Sequence, residues 1–195
     1  MIAGHFGFAA LVKSRERQAP LWALMLATVW LDIVFVPLFL TGIETIEPVP
    51  GTHGGYAAGI IHANYTHSLL GAIVLSVILG AACGPRWGRR SAVVVGLVAF
   101  SHWVLDLVVH RADLPLLPGN LGHLPTLGFG LWRVPAAAMT LELALVVAGA
   151  WLYYGAARSV CLDARLDTRR PAWVAGLILL GGVGVLALDV TGVLG

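Results

Sequence analysis

The sequence predicts an all-α protein, a polytopic membrane helix bundle of about five transmembrane helices with an N-terminal half-helix. Three observations predict it. The chain is 58% hydrophobic and only 11% charged, with a mean hydropathy of +0.87, unlike a soluble domain. It contains five apolar runs, each close to the ~20 residues needed to cross a hydrocarbon core of ~30 Å. Its lysines and arginines gather in alternate connections.

In chain order, Ile2–Val12 is apolar but too short to span, and it ends at Lys13, Arg15 and Arg17. Charge after the apolar stretch is the reverse of a signal peptide, so this segment reads as a re-entrant or interfacial half-helix. The five spans are expected at about 21–41, 56–82, 91–110, 135–155 and 172–194, and the whole chain, 1–195, reads as a single transmembrane domain.

Three basic residues lie in 13–17, none in 43–55, three in 84–90 (Arg86, Arg89, Arg90), two flank 111–134 (Arg111, Arg133) and four lie in 158–170. The bias places the N-terminus in the cytoplasm and the C-terminus outside, in a multi-pass protein of the cell (inner) membrane. Trp22, Trp87, Trp151, Tyr153, Tyr154 and Trp173 fall near the expected inner interface. The 111–134 connection is rich in proline and glycine yet apolar, and is expected to fold over the outer mouth as a lid.

A net charge of +2 gives no nucleic-acid-binding surface, and Cys83 and Cys161 have no metal-ligand spacing. Both are expected on the cytoplasmic side, where thiols stay reduced, which argues against a disulfide.

The chemistry concentrates in Ser101–Arg111, where His102, Asp106 and His110 recur every four residues along one helical stripe. Ionisable groups inside spans are costly and mark functional sites. The spans also hold Asp32, Glu142, Asp189, His62 and His67, and no lysine or arginine. Buried carboxylates without a basic partner must be protonated or share a cation. Imidazole beside carboxylate favours a divalent metal, Zn²⁺ first.

Depth allows convergence. At 1.5 Å per residue, Asp32 and His102 lie roughly 17 Å from the inner ends of their helices and His5 reaches roughly 12 Å up. His62 and His67 are about 140° apart on a helix, so only one can face a common centre. His67 is favoured because Gly71 on its face permits close helix approach, with Asn64 as a supporting partner.

Each intramembrane His or Asp could equally be an interhelical hydrogen-bond partner. His53, His110 and His123 read as solvated, and Asp189 as a helix-end group. Glu142 is left open as a ligand, a general base or a structural acid. Gly176, Gly181, Gly182 and Gly184 read as a helix-packing surface.

A family resemblance rests on several of these residues. Ala3-Gly4-His5-Phe6, Leu31-Asp32-Ile33, His62 to Leu70 with its Thr66-His67-Ser68, and Ser101-His102 to Asp106 stand in the order seen in the YdjM-like family of inner-membrane-associated, membrane-bound, metal-dependent hydrolases. Leu114 to Gly119 and Leu131 to Pro135 are also similar, so the resemblance covers roughly 1–135. It implies metal-ligand roles for His5, Asp32, His67, His102 and Asp106. Val34 and Phe35 stand where the family carries a second Asp and a His, and the family's Arg after the first His of the second motif is Ala63, so one metal is expected here and not two.

The expected function is hydrolysis of an ester or phosphodiester in a lipid-like substrate entering from the bilayer. Asp106 or Glu142 would be the general base, and Arg111 and Arg133 would meet a phosphate. The alternatives are a proton or cation pathway, or a non-catalytic subunit whose metal holds helices together. A haem between two histidines fits poorly beside several acids. Membrane lipids are the expected partners, with a homo-oligomer or a membrane-complex partner left open.

Overall fold

The structure, a computed structural model, describes residues 1–49 and 58–191. His53, the expected start of the second span at 56–57 and the expected end of the fifth at 192–194 lie outside the described residues. Among the described residues the architecture is all-α apart from one short ribbon. Its helices are α1 (Ile2–Lys13), α2 (Leu21–Thr28), α3 (Trp30–Leu40), α4 (Leu69–Val109), α5 (Pro135–Asp163) and α6 (Arg169–Val190).

Helices α4, α5 and α6 are long and apolar enough to cross a membrane, and α2 with α3 make a fourth if counted together. Their outer surfaces are greasy: Val77, Leu97, Leu177 and Leu180 are all exposed. Apolar side chains in that number on the outside mark a membrane protein.

Helix α4 is two limbs. Gly88 (φ 80°, ψ 166°) breaks it, and the chain turns back on itself. A Cβ on Gly80 would meet the Ala92 carbonyl at 2.7 Å, and one on Gly96 the Ser76 carbonyl at 3.1 Å, so the limbs lie backbone to backbone. Each limb has about 20 residues, roughly 30 Å of helix.

The second expected span is corrected at its start. Residues 58–68 are not helical: β2 (Gly59–His62) pairs antiparallel with β1 (Thr45–Pro48), Thr45 opposite His62. Ile60 and Ile61 are β-branched and suit the strand. A loop follows, until Ser68 caps α4 by accepting from Gly71 N–H at 3.0 Å. Gly71 serves that loop: a Cβ there would run into the Tyr65 carbonyl, and no neighbouring helix approaches it among its nearest atoms.

The expected first span is likewise broken, α2 meeting α3 at 47° around Val29. Helices α5 and α6 extend past the expected limits, to Asp163 and back to Arg169.

Helix α1 is packed against the bundle, with Ala3, Gly4, His5, Gly7, Ala9 and Ala10 buried. It lies along α5, where a Cβ on Gly149 would run into the Gly7 carbonyl. Ala9, Ala19, Leu24, Ala27, Val95, Val98 and Ala99 form the core that joins α1, α2 and the second limb of α4. Small residues let these backbones close up. The α6 expectation fails for three of four glycines. Gly182 packs on Val146, whereas Gly176, Gly181 and Gly184 have nothing within 4 Å of an added Cβ.

The connection after α4 is folded over the ends of both limbs. Its Phe129 and Gly130 N–H groups donate to the Leu107 and His110 carbonyls, and its Pro115 and Leu116 carbonyls accept from Leu69 and Leu70. Leu114 and Leu127 bridge across it. Gly128 (φ 149°) is required there, since a side chain would strike the Arg111 carbonyl.

Candidate metal centre

The second limb of α4 supplies the stripe that the four-residue spacing predicts. His102, Asp106 and His110 are all buried, at 1%, 4% and 3% exposure. Burial of His110 corrects the expectation that it is solvated. The closing segment lays Trp132 on its ring (centroids 4.3 Å apart), and Asp113 Oδ1 sits 3.0 Å from its Nδ1. Its Nε2 lies 3.8 Å from Asp106 Oδ2.

The bend at Val29 has a direct use. The Thr28 carbonyl sits at the end of α2, where the bend to α3 leaves it free to accept from His102 Nδ1 at 2.8 Å. A carbonyl only accepts, so His102 carries its proton on Nδ1 and Nε2 is bare when the ring is neutral. One turn on, α3 delivers Asp32, whose Oδ1 lies 3.5 Å from His102 Nε2. Thr28 also donates its hydroxyl to the His5 carbonyl at 3.1 Å, tying α1 to the same bend.

His67 comes from the loop before α4. Trp103 Nε1–H donates to its carbonyl at 2.9 Å, Phe35 packs edge-on against its ring, and Thr66 Oγ1 lies 2.9 Å from its Nδ1. Its Nε2 is 3.2 Å from His102 Nε2, 3.5 Å from Asp32 Oδ1 and 3.7 Å from Asp106 Oδ2. His102 Nε2 is 3.0 Å from Asp106 Oδ2. The result is two triangles of donor atoms sharing the His67–His102 edge, one completed by Asp32 and the other by Asp106.

His5 stacks face to face on His102 (4.0 Å, 13°), and its Nε2 is 3.2 Å from Asp106 Oδ1. Two trios have metal-holding spacing: Asp32 with His67 and His102, and His5 with His102 and Asp106. The five side chains that the sequence nominated as ligands thus lie together. All are nearly sealed except Asp32, whose side chain is 39% exposed.

The other nominated residues lie elsewhere. Glu142 is fully buried at the start of α1, where its Oε2 accepts from the Gly4 N–H at 3.1 Å, and it belongs to neither trio. A carboxylate there satisfies an orphan N–H and meets the positive end of the helix dipole. His62 is on β2, with Nε2 3.5 Å from Glu47 Oε2, and the Asn64 carbonyl accepts from Gly119 N–H. His123 is exposed. Arg111 follows His110 directly and is half-buried, and Arg133 is exposed beside Trp132.

Three contributors were missed: Thr28, Thr66 and Glu44. Glu44 is fully buried and binds the His67 loop. The only signal for it was an acid in a connection that holds no basic residue.

Residues 21–124, just over half of the chain, match a family model described as a domain of unknown function (DUF4383). No curated protein and no solved structure matches the chain. The matched stretch runs from α2 through α4 into the closing segment, and carries Asp32, Glu44, Thr66, His67, His102 and Asp106 but neither His5 nor Glu142. The chain belongs to the DUF4383 family.

Proposed function

We propose that this is a multi-pass protein of the inner membrane, crossing five times with a cytoplasmic N-terminus, that holds one divalent metal, Zn²⁺ by donor type, and hydrolyses an ester or phosphodiester of a lipid-like substrate. The crossings would be the α2–α3 pair, the two limbs of α4, α5 and α6. The basic clusters at 13–17, 84–90 and 158–170 then share the cytoplasmic face.

One observation carries the metal. The Nε2 of His102, bare in the neutral ring, faces two carboxylate oxygens, Asp106 Oδ2 at 3.0 Å and Asp32 Oδ1 at 3.5 Å, with His67 Nε2 beside it at 3.2 Å. Ligand atoms at the corners of a tetrahedral Zn²⁺ site are about 3.3–3.6 Å apart, given bonds of 2.0–2.2 Å. A divalent cation there would be held by these atoms as ligands. His102 would hold the ion together with Asp32 and His67 or with His5 and Asp106, the two trios that share it, and His110 braces Asp106 from its far side.

Such an ion polarises an acyl or phosphoryl oxygen and makes water reactive at neutral pH. Asp32 is the most exposed of these side chains, so a substrate would approach the site past α3. Arg111 and Arg133, on the closing segment, supply positive charge for a phosphate. The resemblance to YdjM-like hydrolases supports the reaction class; the DUF4383 description names no activity.

The test is metal analysis of detergent-purified protein, with about one zinc per chain expected, and none in His102→Ala or Asp32→Ala. Product release from defined phospholipid vesicles by the zinc-loaded protein then reads the hydrolase. Metal-free wild type after reconstitution sinks the site, and a loaded protein inert on every lipid class sinks the enzyme.

A second reading, a proton or cation pathway, is favoured by one feature. Asp113, His110, Asp106 and His5 form a line with steps of 3.0, 3.8 and 3.2 Å. Proton flux into sealed proteoliposomes, abolished by His110→Ala, would decide for it.

A further inference from the structure

We propose that Glu44 is a positioning residue for this centre: acting through the Thr66 hydroxyl, it decides which nitrogen of His67 carries the proton. Glu44 is fully buried at the end of the loop after α3, where its own N–H donates to the Leu38 carbonyl and its carboxyl reaches the His67 loop. Its Oε1 accepts from the backbone N–H groups of Tyr65 at 2.7 Å and Thr66 at 2.9 Å. Its Oε2 accepts from the Thr66 hydroxyl at 2.8 Å.

A carboxylate offers only acceptors, and a hydroxyl has one proton to give. With that proton spent on Glu44, Thr66 Oγ1 meets His67 Nδ1, 2.9 Å away, as an acceptor. His67 must then carry Nδ1–H and present a bare Nε2 to His102. The Thr28 carbonyl imposes the same tautomer on His102 by a shorter route. Two unrelated devices, one a backbone carbonyl and one a carboxylate–hydroxyl pair, thus aim two bare nitrogens at one point 3.2 Å apart. Outer partners of this kind are worth about 10–100-fold in metal affinity. That consequence rests on the metal reading above; the tautomer itself does not.

Glu44→Gln tests it without changing shape. The amide oxygen keeps the two backbone N–H bonds, and the NH₂ group, now a donor, faces Thr66 Oγ1. The hydroxyl proton, displaced from Glu44, has His67 Nδ1 as its acceptor 2.9 Å away, and the ring proton is expected to move to Nε2, where it blocks coordination. Nitrogen-15 spectra of histidine-labelled full-length protein, metal-free and at alkaline pH, should show His67 as Nδ1–H in wild type and Nε2–H in Glu44→Gln. Zn²⁺ affinity, titrated against a chromophoric chelator, should fall about 10–100-fold in Glu44→Gln. Thr66→Ser, which keeps the hydroxyl, should retain the wild-type affinity.

An unchanged tautomer in Glu44→Gln overturns the proposal, whatever happens to affinity or melting temperature. So does Zn²⁺ binding lost equally in Thr66→Ser, since that marks loop packing and not proton placement. If the tautomer switches but wild type binds no Zn²⁺, Glu44 positions His67 as stated and it is the metal reading that fails.

Discussion

Helices α4 and α6 have the same hydropathy over their most apolar windows, 2.1, yet they occupy opposite situations. In α4, 39% of that window is buried inside the protein; in α6, 22% is. The second limb of α4 carries a polar stripe, and that stripe is met from every side: by His5 of α1, the Thr28 carbonyl of α2, Asp32 of α3, His67 of the preceding loop and Trp132 of the closing segment. Helix α6 keeps three glycines facing nothing and leaves Leu177 and Leu180 on the outer surface. Hydropathy therefore says that a helix belongs in the bilayer, and the polar residues say which helix becomes the centre. In lipid there is no hydrophobic drive between helices, so packing and polar contacts gather the bundle.

The sharpest way to break that contrast is Asp106→Asn. Asp106 Oδ1 faces His5, and Oδ2 faces His102, His67 and His110. Removing its charge leaves four imidazoles around a neutral amide. Zinc binding is expected to fall by about two orders of magnitude or more, and stability in detergent by about 3–5 kcal/mol, the scale for breaking a buried ion pair. Retained zinc together with an unchanged unfolding midpoint would show that the stripe organises nothing.

Next in size is a matched pair of glycine substitutions. Gly149→Ala puts a methyl group against the Gly7 backbone, and α1 has to move, taking His5 with it. The expected cost is about 1–3 kcal/mol, the scale for overpacking, with a loss of zinc affinity alongside it. Gly181→Ala adds the same methyl group to α6 in open space and should shift stability by no more than about 1 kcal/mol, toward stabilisation if anything. Denaturant unfolding in one detergent measures both. Equal effects would erase the distinction between the two helices.

What was legible in the sequence follows from the range of the interactions. The stripe of His102, Asp106 and His110 is local, set by helical spacing, and could be read directly. Helical spacing and Gly71 favour His67 over His62, but Gly71 makes room for the Tyr65 carbonyl of its own loop and not for another helix, so His67 reaches the centre for a different reason. The break at Val29 could not be read, because its use is to present the Thr28 carbonyl to a residue 74 positions away. Glu44 and the burial of His110 escaped for the same reason: each depends on a segment closing over it from elsewhere in the chain. Apolar runs placed the helices well where nothing interrupted them, and failed at 58–68, where short-range capping and strand pairing outweigh hydropathy.

The last prediction lies at the opposite end of the bundle and tests whether polar anchoring matters away from the centre. Glu16, buried at 4% exposure, lies in the turn between α1 and α2. Its Oε1 accepts from the N–H groups of Gln18 at 2.7 Å and Ala19 at 3.0 Å and from the Ser91 hydroxyl at 3.0 Å. Burial opposes ionisation, but the Ala19 and Gln18 N–H groups, the Ser91 hydroxyl and the charge of Arg90 outweigh it, so the carboxyl is held below its usual value. A depressed carboxylate pKa contributes stability above the unfolded-state value, about 4.3, and loses it as pH falls through the folded value. Wild type should therefore melt higher than Glu16→Gln at neutral pH, by the worth of one or two charge-assisted hydrogen bonds, about 1–3 kcal/mol at most. The two curves should converge as the pH drops below about 4. A gap that persists unchanged into acid would mean that shape, and not the ionised carboxylate, ties α1 to the turn between the limbs of α4.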